Sequence, residues 1–170
     1  QAKNMLICPP RNFQMGDVNS AWDDCEFVFE GEVNINGQEH LYIETQGAYA
    51  RMKEDGSILI ASSTQGPTAV QRTISNVLDI PMHKIEVDTV RLGGGFGGKE
   101  DQATGWAVMV ALAAQKLQKP VKMVLHRMDD MRMTGKRHPY SADFKIGLSS
   151  DLKIIAYEAT FYQNAGAAAD

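Results

Sequence analysis

Between two apolar segments of the chain lies Arg91-Leu-Gly-Gly-Gly-Phe-Gly-Gly-Lys-Glu-Asp101, with five glycines in the six positions 93–98. Just upstream, Ile85-Glu-Val-Asp-Thr-Val90 alternates apolar and polar residues and predicts a strand. Just downstream, 101–117 is apolar on most sides and predicts a helix buried between layers. Gly105 inside it costs helix stability and points to close packing. A glycine loop that leaves a strand and enters a helix lets bare backbone N–H groups approach a ligand. The helix N-terminus behind it adds partial positive charge. Such a loop suits an anionic, oxygen-rich group, and Phe96 in its middle would screen that group from water.

Working outward, 57–63 reads as a short apolar strand. Gly66-Pro67 then opens a helix over 66–79, with Pro67 suited to the first turn and Val70, Ile74, Val77 and Leu78 on one face. Pro81 stops it. A third strand covers 120–125, and a hairpin joins 142–148 to 152–162 through Ser149-Ser-Asp151. Earlier strands fall at 27–35 and 42–52. The connection after 125, with Asp129-Asp130, reads as polar loop. The result is an α+β fold: a mixed sheet on a strand-helix-strand-helix-strand core with flanking antiparallel strands. Residues 1–25 form an irregular arm with one helical turn after Asp17, and 26–170 form the domain. In such sheets ligands bind where the loops leave the strands, so Gln65 and the glycine loop are expected at one edge.

The chain has 170 residues, 44% hydrophobic and 22% charged, with a formal net charge of -4. An acidic balance argues against nucleic-acid or membrane-surface partners, which need a basic face. No apolar run is long enough to span a bilayer. The N-terminus carries no signal peptide, and both ends read as those of an excised or processed piece. Cys8 and Cys25 give neither a metal spacing nor a disulfide framework, so reduced thiols and a cytoplasmic setting are expected.

Two phosphate-binding motifs nearly fit the loop. Gly93, Gly95 and Gly98 satisfy G-x-G-x-x-G, but no acidic residue ends the next strand to hold a ribose. Gly93 through Lys99 satisfies G-x-x-x-x-G-K, but Glu100 stands where Ser or Thr must reach magnesium. A carboxylate there would repel a phosphate, so a nucleotide triphosphatase is disfavoured.

Gly93-Gly-Gly-Phe-Gly-Gly-Lys-Glu100 resembles the signature of the molybdenum-binding subunit of xanthine dehydrogenases, in the xanthine oxidase family of molybdenum hydroxylases. Gly37-Gln-Glu-His40, Glu44-Thr45, Ser62-Ser-Thr-Gln65 and Thr134-Gly-Lys-Arg-His-Pro139 resemble further segments of that family, in the same order. The resemblance runs from about Gly31 onward. It implies a partial molybdopterin-binding domain and a molybdopterin cofactor bearing molybdenum. It also implies hydroxylation of an electron-poor carbon with water as oxygen source. Electrons would leave through iron–sulfur clusters to FAD or another acceptor, on other domains or subunits. By the resemblance, Gln65 hydrogen-bonds the metal's apical ligand. Gly95, Phe96 and Gly97 line the cofactor, Phe96 and Gly97 through backbone N–H groups, so that Gln65 and Phe96 stand nearest the metal. Glu100 faces the substrate and favours a purine-type heterocycle over the simple aldehydes of aldehyde oxidases, which usually lack an acid there. The family's general base and substrate-binding arginine lie beyond Asp170, so no catalytic residue is assigned here. An aldehyde oxidase-like hydroxylase and a non-catalytic cofactor-carrying or interaction module remain the alternatives.

The other polar residues carry less. His40, His83, His126 and His138 form no metal-ligand spacing and read as structural or surface groups. Lys99 reads equally as an anion contact or a solvated lysine. Glu39 and Glu44 read as solvated or hydrogen-bonded structural acids. Partners are expected to be a purine-type small molecule and the remaining domains or subunits of the same enzyme. The fragment alone is expected to be inactive, and its uncovered apolar surface to favour self-association, including a homo-oligomer.

Overall fold

The computed structural model describes residues 6–166. In chain order its elements are α1 (Val18–Ala21), β1 (Phe27–Ile35), β2 (Gly47–Met52), β3 (Ile58–Ser62), α2 (Pro67–Leu78), β4 (Ile85–Asp88), α3 (Gln102–Leu117), β5 (Val121–Val124), α4 (Arg127–Met133), β6 (Tyr140–Leu148) and β7 (Ile154–Gln163). Short 3-10 turns occupy Trp22–Asp24 and Met82–Lys84. The α+β class holds, with one mixed and one antiparallel sheet. The chain divides into two compact units, one covering Gln38–Arg137 and the other joining the chain up to Gly37 to that from His138 onward.

The central unit is built on a four-stranded sheet of order β4-β3-β2-β5. β3 and β4 are parallel, paired from Ile58↔Ile85 to Ala61↔Asp88, while β2 is antiparallel to both β3 and β5. In β3 the buried Ile58 and Ile60 alternate with half-buried Leu59 and Ala61, so one face turns to the core. Against it pack Val70 and Ile74 of α2 and Ala107, Val110, Ala111 and Ala114 of α3. Burying each large aliphatic side chain there contributes roughly 1.5–3 kcal/mol. The helix begins as expected, with Pro67 in its first turn, and ends at Asp79, whose φ of 54° is left-handed.

Four expectations for this unit are corrected. α3 is buried along one face only, since Met109, Leu112 and Leu117 are exposed. Gly105 lies on the exposed side, and a Cβ there would meet nothing within 4 Å. The strand expected from residue 42 starts only at Gly47, because Tyr42 and Gln46 are drawn into buried polar contacts and Leu41 takes a left-handed φ of 47°. The supposed polar loop at Asp129-Asp130 is helix α4, and Asp130 is fully buried.

In the other unit, β1, β6 and β7 form an antiparallel sheet of order β1-β6-β7. β6 and β7 are the expected hairpin. The expected turn after Asp17 is α1, capped by the Asp17 carboxylate, which accepts from the N–H of Asn19 at 3.1 Å and of Ser20 at 3.4 Å. Gly147 of β6 is buried against Cys25 and Trp22, and a Cβ there would lie 2.2 Å from the Cys25 sulfur. Both Cys8 and Cys25 are free thiols.

Candidate functional site

Because β3 and β4 run parallel, the loops that follow them leave the same edge of the sheet. The first carries Ser63, Thr64 and Gln65, the second the glycine stretch. Their joining is specific. The Gln65 N–H donates to the Lys99 carbonyl at 2.8 Å. In return the Gln65 side-chain oxygen accepts from the N–H of Gly97 at 3.0 Å and of Lys99 at 3.2 Å. Thr64 Oγ1 also donates to the Lys99 carbonyl, at 3.2 Å. Two N–H donors aimed at one amide atom identify that atom as the oxygen, so the Gln65 NH2 group points the other way. It has no partner among the described residues.

The glycine loop itself turns at Gly95–Gly98, closed by the Gly98 N–H on the Gly95 carbonyl at 2.8 Å. Its central residues, Phe96 and Gly97, have φ of 54° and 86°, the positive values that a mirror-image turn demands. For Gly97 this conformation is free of strain. For Phe96 it is unfavourable by roughly 1–2 kcal/mol, and the residue stands 70% exposed. Strain of this kind persists only where the surrounding structure over-determines it. The N–H groups of Gly94, Gly95 and Phe96 have no partner among the described residues. Gly95 leaves no room for a side chain, since a Cβ there would lie 2.4 Å from the Gln65 oxygen.

Glu44, from the segment before β2, closes the loop. Its Oε2 accepts from the Gly93 N–H at 3.0 Å, from the Lys99 ammonium at 3.1 Å and from the Ser63 hydroxyl. Lys99 is fully buried. Its ammonium also donates to the Glu44 carbonyl at 2.8 Å and to Ser63 Oγ at 2.6 Å, and lies 4.4 Å over the Tyr42 ring. The solvated reading of Lys99 is therefore corrected: three acceptors and an aromatic face replace its water. The pair is asymmetric. Burial pushes the Glu44 carboxyl up, but hydrogen bonds from Ser63, Gly93 and Lys99 together hold it below its ordinary value. Burial pulls the Lys99 ammonium below its ordinary value, and the attraction of Glu44 offsets this only in part.

Behind this layer lies a second buried set. Asp130 accepts from the Tyr42 hydroxyl at 2.7 Å and from the Gln46 N–H at 2.6 Å. The Gln46 amide donates to the Gly98 carbonyl at 2.9 Å, tying the glycine loop to this set. Arg127 donates to the Tyr42 and Ile43 carbonyls at 2.6 and 2.7 Å. Burial, with the hydrogen bond to Asp130, pushes the Tyr42 hydroxyl up to about 12. His40 stacks on Tyr42 with ring centroids 6.3 Å apart, and burial lowers its pKa despite Glu39. This agrees with its reading as a packing residue.

Gln65, Gly95, Phe96 and Gly97 thus share one edge of the sheet. Glu100 follows directly, exposed, its carboxylate unpaired among the described residues. It sits just before Asp101, which holds the N-cap position of α3 without a side-chain capping bond. Glu44, Lys99, Tyr42, Gln46 and Asp130 are the site's supports: the hydrogen-bonded reading of Glu44 holds, whereas Tyr42 and Gln46 carried no signal in the sequence and Asp130 read as loop. Among the described residues no group of three or more His, Cys, Asp or Glu side chains is arranged to hold a metal ion. No described helix is long and apolar enough to cross a membrane.

The family model described as molybdopterin cofactor-binding domain matches residues 2–170. Similar proteins include a xanthine dehydrogenase of Calliphora vicina, 40% identical over 157 residues that make up 92% of this chain and 12% of that protein. An aldehyde oxidase 2 of Cavia porcellus is 37% identical over 166 residues, 97% of this chain and 12% of that protein. The chain therefore spans about 12% of the length of these curated relatives. Among solved structures, the CO dehydrogenase from Oligotropha carboxidovorans superimposes with a TM-score of 0.66 at 26% identity, covering 85% of this chain and 18% of that one. The aldehyde oxidoreductase from Desulfovibrio gigas shares the fold, with a TM-score of 0.66 at 23% identity over 87% of this chain and 16% of that one.

Proposed function

The chain belongs to the molybdopterin cofactor-binding domain family, and from that premise we propose that it supplies part of the cofactor site of a xanthine dehydrogenase-like molybdenum hydroxylase acting on a purine-type heterocycle. The observation that carries this reading is the locked pair of Gln65 and the glycine loop. The Gln65 oxygen is held by two backbone donors, at 3.0 and 3.2 Å, which turns its NH2 group outward. Beside it stand the unpaired N–H groups of Gly94, Gly95 and Phe96. These donors fit an oxygen-rich, anionic group, and a side chain at Gly95 would collide with the Gln65 side chain that holds the arrangement.

When bound, the molybdopterin group supplies a redox-active molybdenum at which an electron-poor carbon is hydroxylated with oxygen from water. Gln65 would donate to the molybdenum group through its outward NH2. Gly95, Phe96 and Gly97 would line the same region, with Phe96 covering it from water. Fixing these donors before binding removes the cost of orienting them afterwards. Glu100 would accept from a purine N–H; its exposed, unpaired carboxylate is available for that contact. The general base, the iron–sulfur clusters and FAD would lie in other parts of the full-length protein. On this reading the 170-residue chain alone neither holds the cofactor tightly nor oxidises xanthine.

Aldehyde oxidase-like activity is the second reading, because relatives of that name are 37% identical over 97% of this chain and a xanthine dehydrogenase 40% over 92%. Glu100 separates the two. Glu100→Gln keeps the shape and removes the charge, and losing one charge-assisted hydrogen bond costs on the order of 2 kcal/mol, about thirtyfold in kcat/KM. In the full-length protein the loss should be large for xanthine or hypoxanthine and small for simple aldehydes. Gln65→Ala should slow both classes. Equal losses for purines and aldehydes in Glu100→Gln would return Glu100 to a structural role.

A further inference from the structure

The glycine stretch is long, and glycines alone do not keep a loop in one shape, since each is free to adopt many backbone conformations. Yet its turn is held with Phe96 in a left-handed conformation, at a φ of 54°. Something must hold both ends. At the start, the Gly93 N–H donates to Glu44 Oε2 at 3.0 Å, and the Gly93 carbonyl accepts from the Glu44 N–H at 3.2 Å. At the far end, the Lys99 ammonium meets the same carboxylate oxygen at 3.1 Å and the Glu44 carbonyl at 2.8 Å. One residue, Glu44, therefore grips the first and the last position of the loop. Gly93 also has to be glycine for this grip, because a Cβ there would lie 2.4 Å from that of Glu44.

We propose that Glu44 and Lys99 are positioning residues, a clip that closes the glycine loop so that the N–H groups of Gly94, Gly95 and Phe96 stand as one fixed donor array. The clip touches neither cofactor nor substrate. It acts through the loop, and its consequence for the cofactor rests on the function proposed above. The two partners are not equivalent. The Lys99 side chain is fully buried, whereas that of Glu44 is 42% exposed. Lys99→Met leaves a carboxylate that water reaches. Glu44→Gln leaves a buried ammonium facing a neutral amide, the costlier defect. Removing both, in Glu44→Gln/Lys99→Met, removes the uncompensated charge but not the need for a clip.

The test uses the full-length protein with two readouts. The first is hydrogen exchange of the bonded amides of Gly93, Gly97, Gly98 and Lys99, with the helix over Gln102–Leu117 as internal reference. The second is the molybdenum and pterin content per polypeptide after purification and after timed dialysis. Lys99→Met is expected to speed exchange at the four loop amides about tenfold while α3 keeps its protection, and to shed molybdenum and pterin several-fold faster. Glu44→Gln should do more, and the double variant should fall back to the level of Lys99→Met. A merely structural pair would instead loosen α3 as much as the loop, and that outcome overturns the proposal. Unchanged loop exchange in Lys99→Met overturns it too. Should Lys99→Met not fold, Glu44→Gln and the double variant are compared directly, and equal loop exchange in these two counts against the clip. Wild-type protein that carries neither molybdenum nor pterin refutes the cofactor reading instead, and the exchange arm then tests the clip by itself.

Discussion

Gly95→Ala should dislodge Gln65 without straining the backbone. Gly95 lacks the positive φ of its neighbours Gly94 and Gly97, so alanine fits its conformation. The new methyl would instead lie 2.4 Å from the Gln65 oxygen, 2.5 Å from Cδ and 2.9 Å from Cγ. No rotation of alanine relieves that overlap, whereas the Gln65 side chain is exposed and free to swing out. The cost is then not overpacking but the loss of two hydrogen bonds, those from Gly97 and Lys99. Each contributes about 0.5–1.5 kcal/mol, so the pair is worth about 2 kcal/mol, about thirtyfold in local opening. Exchange of the Gly97 and Lys99 amides in the full-length protein reads this directly. Gly95→Ala and Gln65→Ala should each accelerate it by that factor, and the double variant by no more, because the second change removes nothing that the first has left. Wild-type exchange in Gly95→Ala, or effects that add in the double variant, would refute the coupling of Gln65 to the loop.

Other buried contacts predict four further outcomes. Asp130→Ala strands the buried Tyr42 hydroxyl and Gln46 N–H, and should cost about 3 kcal/mol. Asp130→Asn, which keeps one acceptor, should cost clearly less, and thermal unfolding distinguishes the two from the exposed control Asp129→Ala. Gly147→Ala drives a methyl to 2.2 Å from the Cys25 sulfur and should destabilise by about 1–3 kcal/mol; Cys25→Ala in the same chain should restore most of the loss in unfolding temperature. Glu44, held below its ordinary value, stabilises the fold fully above the unfolded carboxylate pKa of about 4.3 and loses that effect as pH falls through its lowered folded value. The stability gap between wild type and Glu44→Gln should therefore close in acid, and a gap constant down to about pH 3 contradicts the assignment. Lys99, also lowered, acts on the alkaline side, where its burial cost is relieved as pH rises towards the unfolded value of about 10.4.

Much of the architecture was legible because it depends on local pattern. Ile58 and Ile60 announce β3 by alternation, Val70 and Ile74 announce the inner face of α2 by helical spacing, and Pro67 marks its start. The parallel pairing of β3 with β4 follows from the helix between them, and it is this pairing that sets Gln65 beside the glycine loop. What failed did so where a residue's environment is decided far away in the chain. Lys99 looks solvated beside Glu100 and Asp101, and becomes a core residue only because Glu44, 55 positions earlier, brings it a carboxylate and a carbonyl. Asp130 in a polar heptapeptide looks like loop, and is buried because Tyr42, 88 positions away, supplies its hydroxyl.

The missed residues share a physical logic. A loop rich in glycine has little side-chain packing to fix it, so its shape has to be imposed by polar contacts from outside. Those contacts must be shielded from water to be strong, and shielding requires buried charges that are themselves fully partnered. Lys99 meets that condition through Glu44 and Ser63, and Asp130 through Tyr42 and Gln46, whose amide then reaches the Gly98 carbonyl at 2.9 Å. The two sets meet on the Tyr42 ring, with the Lys99 ammonium 4.4 Å and the Arg127 guanidinium 6.0 Å from its centre. A strand through Tyr42 would have pointed that ring by sheet periodicity alone. The irregular segment from Leu41 to Gln46 frees it to meet both cations, and the interrupted strand is the condition for a rigid glycine loop.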